Sequence, residues 1–259
     1  MTLAETTWAL PCWERCLPAI KAAGYSINGL FVCGNKVPGR NGYEIAFWYL
    51  KVFGLVDFVF LATFTVLRKI KRWRLGLNRD FHSLCKAEGV PFFKTDDPNS
   101  SEVIEWMHGH KIDVLLIMVD DIIRRELLES VRGGVINKHA ALLPGKRGLF
   151  PYLWVFIDEG RQGVSFHIVD EDIDTGAVLC RRPLDGANDL SMLAFYLDVF
   201  DLYPEMLLEA LSCLNEGAKK DEAHESFRGT YHGLPDRRDA RQFKNQGGKI
   251  CSVSDLLRA

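Results

Sequence analysis

Short apolar runs of strand length alternate with stretches of helical periodicity through most of this chain, and that alternation restricts the fold more than any other feature. Residues 27–33, the segment opening at Val90, residues 113–118 and the run from Val135 are compact apolar blocks suited to buried strands. Between them lie amphipathic segments: 8–23, stopped by Gly24; 80–88; 101–110, with Val103, Ile104 and Met107 at helical spacing; and 121–132, with Ile123, Leu127 and Val131 on one side. Strand and helix in turn predict an α/β class, a Rossmann-like, mostly parallel sheet flanked by helices, with ligands bound beyond the carboxyl ends of strands. Farther along the period changes. Residues 163–169 and 176–183 are adjacent strand candidates joined by the acidic loop 170–175 and read as a hairpin. A helical stretch over 189–215, with Pro204 marking a bend or break, precedes a polar tail. The expected organisation is a catalytic domain over 1–187, with an insert at 36–80, and a small C-terminal helical extension over 188–259.

At 259 residues and 47% hydrophobic, the chain can bury a full core. Its formal charge of -2 gives no reason to expect nucleic acid, whose affinity rests on cationic contacts to phosphate. Cysteines stand at 12, 16, 33, 85, 180, 213 and 251 without any Cys-x-x-Cys pair, so reduced thiols in the cytoplasm are expected, and no metal site. Neither His108-Gly-His110 nor the run from Tyr231 to Asp239 has the local partners that a metal or nucleic-acid site needs. The N-terminus lacks a basic opening and a signal-type apolar core. Residues 46–67 are nearly all apolar and are followed by Arg68, Lys69, Lys71, Arg72 and Arg74, which is long enough for a membrane span with a basic flank. Lys51 and Asp57 oppose that reading, each costing roughly 2.5–3.5 kcal/mol near a helix centre. The expectation is a helix buried in the core, at a homodimer interface or in peripheral contact with a membrane.

Chemistry concentrates at Asn137-Lys-His139. Val135 and Ile136 lead in as a buried strand, and residues two apart on a strand share a face, so Asn137 and His139 project together. One is an amide able to donate to a developing oxyanion; the other is an imidazole suited to proton transfer near neutral pH. Asp174, in Ile-Asp-Thr-Gly, supplies a carboxylate. The combination suits acyl transfer.

The ordered series around these residues resembles the formyltransferase family that uses 10-formyltetrahydrofolate. Its carriers are Asn137, His139, Leu142, Leu143 and Pro144, then Arg147-Gly148, Pro151 and Trp154, then Gly163, Val164 and His167, and finally Asp174 and Gly176. Ala141 stands where the family usually has Ser. The resemblance runs clearly from about Asp113 to Leu184 and more faintly back to Thr2.

It implies that Asn137 and His139 polarise the formyl group and manage the proton, while Asp174 orients His139 or takes the proton through water. His167 lies on a different strand and reads as structural. The resemblance further implies folate contacts at Met118, Val119 and Asp120 and in the acidic loop at Asp170, Glu171 and Asp172, mainly through main-chain groups. Asp120-Asp121 also suits a helix N-cap. The first turn, Ala4-Glu5-Thr6-Thr7-Trp8, lacks the glycines that bring backbone close to a phosphate, which disfavours the purine-pathway substrate. The chain after Leu190 is short and the 189–215 helix acidic, which disfavours transfer RNA. The expected acceptor is a nucleotide-diphosphate amino sugar, most like GDP-perosamine, contacted by Lys146, Arg147 and Thr7. The rival readings are a formyltransferase for another small amine, such as a tRNA-linked methionine or a purine precursor, a formyl hydrolase, and a membrane-associated scaffold built on a catalytically dead version of the fold.

Overall fold

The computed structural model describes residues 2–3, 9–33, 42–77, 80–118, 121–217 and 229–259. Its elements run β1 (Thr2–Leu3), α1 (Ala9–Ala22), β2 (Leu30–Cys33), α2 (Gly42–Phe53), α3 (Leu55–Arg74), α4 (Phe81–Glu88), β3 (Phe92–Thr95), α5 (Ser101–Gly109) and β4 (Leu115–Ile117). They continue α6 (Arg125–Glu129), β5 (Val135–His139), β6 (Lys146–Gly148), α7 (Pro151–Ile157), β7 (Gly163–Ile168), β8 (Val178–Pro183), α8 (Met192–Asn215), β9 (Thr230–His232) and α9 (Arg237–Asn245).

Among the described residues, β1, β2 and β3 form a parallel sheet, and β4 pairs parallel to β5. The expected hairpin is present: β7 runs antiparallel to both β5 and β8. Both faces are covered, and β2 shows why its sequence is apolar throughout. Leu30 and Val32 join one hydrophobic cluster with Leu10, Leu17, Phe195 and Met206, whereas Phe31 and Cys33 join another with Val103, Met107, Leu115 and Leu127. Alternate side chains point to opposite faces, so a strand covered on both sides cannot afford a polar position.

Several helix limits follow from side-chain caps. Ser191 Oγ accepts from the Ala194 N–H at 3.0 Å and starts α8, which continues through Pro204 without a break. The helix expected over 121–132 is shorter than its apolar spacing suggested. Asn99 accepts from the Arg124 N–H at 2.7 Å and donates to the Ile122 carbonyl at 3.0 Å, which holds that stretch outside the helix. The N-cap position is therefore Arg124, and Asp121 does not cap.

The apolar run after residue 46 is two helices and not one, because Gly54 at φ 93° interrupts it. Burial in the core holds for only part of it: of residues 43–77 Phe53 and Phe64 are buried, and Trp48, Tyr49, Val52 and Leu61 pack half-buried against the core. Among the described residues no helix is long and apolar enough to cross a membrane. The tail is more than an appendage. Strand β9 pairs with β6, and α9 packs against α2 and α7.

Candidate active site

Strand β5 ends in Asn137, Lys138 and His139, and its pairing with β7 builds one face of a site. Asn137 lies opposite His167, and His139 opposite Ser165. Directly opposed residues of an antiparallel pair project on the same side, so Asn137, His139 and His167 share a face. His139 is buried and Asn137 half-buried. Ser165 fixes the chain leaving β5: its hydroxyl donates to the Ala141 carbonyl at 2.8 Å and accepts from the Leu143 N–H at 2.9 Å. A hydroxyl from the neighbouring strand thus bonds the backbone at the position where Ala141 has none of its own.

Asp174 reaches this face from the loop between β7 and β8. Thr175 Oγ1 donates to Asp170 at 2.6 Å across that loop, and Asp174 itself adopts φ 54°. Gly176 permits the return, since a Cβ there would lie 1.9 Å from the Ile168 carbonyl oxygen. The Asp174 carboxylate then accepts from the Gly148 N–H at 2.7 Å, with His139 Nδ1 at 3.4 Å and His167 Nε2 at 3.5 Å. One carboxylate therefore lies between two buried imidazoles.

The proton on His139 is placed by its other contact. Nε2 lies 2.5 Å from the Lys146 carbonyl, which can only accept, so Nε2 carries hydrogen and Nδ1 of the neutral ring faces Asp174 with a lone pair. Burial lowers the His139 pKa, more than the charge of Asp174 and the Lys146 carbonyl raise it. Asp174 shifts the other way from what its burial alone would do. Burial would raise it, but His167, the positive charges that both histidines carry only when their rings are protonated, and the Gly148 N–H together bring it down to about 2. A neutral base beside a firmly ionised carboxylate results.

The remaining expected residues divide. Met118 is buried just beyond β4, whose Ile117 pairs with Asn137. Val119, Asp120 and Thr7 lie outside the described residues. Asp170, Glu171 and Asp172 occupy the loop that ends on Asp174, and Glu171 stands 3.5 Å from Arg125. Lys146 Nζ contacts Asp158 and donates to Thr230 Oγ1 at 3.0 Å, while Arg147 Nη2 donates to the Gly229 carbonyl at 3.0 Å. Both cations are thereby held against the chain's own groups at the β6–β9 junction.

Two contacts depend on strand pairing and not on local pattern. His167, which the sequence reads as structural, lies opposite Asn137 and against Asp174. The signal was the alternation in Gly163-Val-Ser-Phe-His167, which can be used only once the register with β5 is known. The second is made by β9, which braces the strand whose Lys146 carbonyl holds His139; His232 also stacks on Trp154 with centroids 4.4 Å apart.

A family model described as formyl transferase matches residues 71–211. The chain belongs to the formyl transferase family. Within that family it is 29% identical over 162 residues to the methionyl-tRNA formyltransferase of Trichlorobacter lovleyi, covering 59% of this chain and 51% of that one. It is 30% identical over 173 residues to the enzyme of the same name from Citrifermentans bemidjiense, covering 63% and 54%. The chain spans about half the length of these curated relatives. Its fold is similar to that of the phosphoribosylglycinamide formyltransferase from Bacillus halodurans, with a TM-score of 0.54 at 17% identity over 84% of this chain and 95% of that one.

Proposed function

We propose that this member of the formyl transferase family moves a formyl group from 10-formyltetrahydrofolate to a primary amine, with Asn137, His139 and Asp174 carrying the chemistry. The observation that carries the reading is the Asp174 carboxylate set between His139 and His167 on the face that Asn137 shares. The residues present suit such a donor: the Asn137 amide shares a strand face with a neutral imidazole that stands beside an ionised carboxylate, and Met118 with the stretch after it would hold the folate, with Asp170, Glu171 and Asp172 as the second contact. When bound, 10-formyltetrahydrofolate supplies the electrophilic formyl carbon.

The chain's own groups then have distinct tasks. His139 Nδ1, free of a proton while the ring is neutral, takes one from the attacking amine and returns it to the folate nitrogen that leaves as its bond to the formyl carbon breaks. Asp174, held by the Gly148 N–H, stabilises the imidazolium so formed. The Asn137 amide donates to the oxygen on which charge collects, a role worth roughly a hundred- to thousand-fold in related oxyanion sites. No metal enters this scheme.

For the acceptor we read a nucleotide-linked 4-amino-4,6-dideoxy sugar of the GDP-perosamine type, used for surface polysaccharide such as O-antigen in the cytoplasm. The glycine-free first turn and the formal charge of -2 support this reading. Lys146, Arg147 and Thr7 are its proposed contacts. The names of the curated relatives favour methionyl-tRNA as a second acceptor. Incubating the protein and 10-formyltetrahydrofolate with GDP-, dTDP- and UDP-linked amino sugars, and separately with methionyl-tRNA, tests both by mass of the product. Formylation of an amino sugar is expected; formylation of methionyl-tRNA alone replaces the acceptor, and release of free formate alone removes the transferase reading.

A further inference from the structure

Strand β9 brings an aromatic ring close to the carboxylate that the proposed chemistry uses. In its register with β6, Tyr231 pairs with Arg147, so these two side chains share a face, while Lys146, Thr230 and His232 take the other. That other face is packed: His232 stacks on Trp154, and Lys146 is held by Asp158 and Thr230. Tyr231, in contrast, is 53% exposed. We propose that Tyr231 is a specificity residue for the amine acceptor, its ring packing against the C–H face of the sugar that carries the amine. The assignment rests on the acceptor reading given above and adds a contact to it.

Position is the first support. A ring carbon of Tyr231 lies 2.9 Å from the point that a Cβ on Gly148 would occupy, so the absence of a side chain at 148 lets the ring come close. The N–H of that same glycine holds Asp174 at 2.7 Å. Arg147, the cross-strand neighbour of Tyr231, donates from Nη1 to the Ile173 carbonyl at 3.4 Å. Ile173 precedes Asp174 in the chain and is 39% exposed. An open aromatic ring and an open aliphatic side chain thus stand on the two sides of Arg147, each one residue removed from the group that supports or carries the carboxylate.

Chemistry restricts what such a ring meets. The attacking amine must come to His139 Nδ1, which faces Asp174. In a nucleotide-linked amino sugar the base is separated from the amine by the sugar and the diphosphate, so a ring this near Asp174 meets the sugar and not the base. An aromatic face is electron-rich and attracts the positive edge of C–H groups. A 4,6-dideoxy sugar offers such groups, with a methyl in place of a hydroxymethyl, and Ile173 suits that methyl as well. Nothing in this contact uses the phenol hydroxyl.

Steady-state kinetics with 10-formyltetrahydrofolate and a GDP-linked 4-amino-4,6-dideoxy sugar test the assignment. Tyr231→Ala is expected to raise the acceptor KM about three- to tenfold, with kcat and the folate KM near those of the wild type. Tyr231→Phe keeps the ring and should keep the wild-type acceptor KM. A residue that only braced Gly148 would instead lower kcat and leave the acceptor KM alone. Should the alanine variant not fold by circular dichroism, nitration of the unmodified protein with tetranitromethane supplies the answer: the amino sugar should protect Tyr231 and leave Tyr43, 90% exposed on α2, equally nitrated. An unchanged acceptor KM in the alanine variant, a fall in kcat alone, a phenylalanine variant as impaired as alanine, or nitration of Tyr231 indifferent to the sugar would overturn the proposal and leave formyl transfer in place. A wild type that formylates no amino sugar removes the acceptor reading itself, and this contact with it.

Discussion

The carbonyl oxygen of Lys146 lies 2.5 Å from Nε2 of His139, and this contact decides which nitrogen of the ring can act as a base. The nearest oxygen of Asp174 is 3.4 Å from Nδ1, an ion-pair separation that leaves room for the proton to arrive. Backbone, and not carboxylate, therefore sets the tautomer.

It follows that formyl transfer should depend on neutral His139. Because the folded protein lowers the pKa of this ring below its ordinary 6.5, the acid limb of kcat/KM is expected below pH 6.5, with activity lost as pH falls through it. His139→Ala is expected to reduce kcat by about a hundred- to ten-thousand-fold and to abolish that limb. A pH–rate profile whose acid limb stays in place in the alanine variant would assign the base to another group.

Asp174 links the site to acid stability. Its carboxyl falls from 3.8 to about 2 on folding, so the native state binds the proton less readily than the unfolded chain. The stabilisation is fully present above about pH 4 and is lost as pH drops toward 2, amounting to about 2 kcal/mol. Urea unfolding of the wild type and of Asp174→Asn across that window measures it. The wild type should show the steeper decline, and parallel curves would contradict the assignment.

Gly148 stands at φ 92°, and a Cβ there would come 2.1 Å from the His232 carbonyl oxygen. Its N–H also holds Asp174. Gly148→Ala is expected to cost about 1–3 kcal/mol in unfolding free energy and to slow formyl transfer at the same time. Thermal unfolding and steady-state kinetics on one preparation check the pair of effects.

On α3, Leu55, Val59, Val66, Ile70 and Trp73 lie along one outward face, with relative exposures from 46% to 66%. A seam at this spacing is suited to pairing with the same helix of a second copy. Sedimentation velocity should find a homodimer for the wild type and a monomer for Val59→Glu/Val66→Glu. A monomeric wild type would exclude this contact.

What was legible in the sequence is what local pattern controls. The apolar lead-in of Val135 and Ile136 and the two-residue spacing of Asn137 and His139 identified the strand and its shared face. The acidic loop likewise marked the hairpin that delivers Asp174. Less legible was anything settled by a distant partner. Asn99 shortens α6 from more than twenty residues away, and register alone brings His167 to Asp174. The helices after Gly42 misled for another reason: apolar composition signals burial only when something covers it, and the described residues leave much of α3 open.

Strand β9 lies some eighty residues downstream of β6, yet it is the bracket on which the catalytic imidazole's support is mounted. A protein cut short after α8 would retain every proposed proton-handling and oxyanion group and still lose the clasp that sets their spacing. Inactivation by truncation would then arise without the removal of a single reacting side chain.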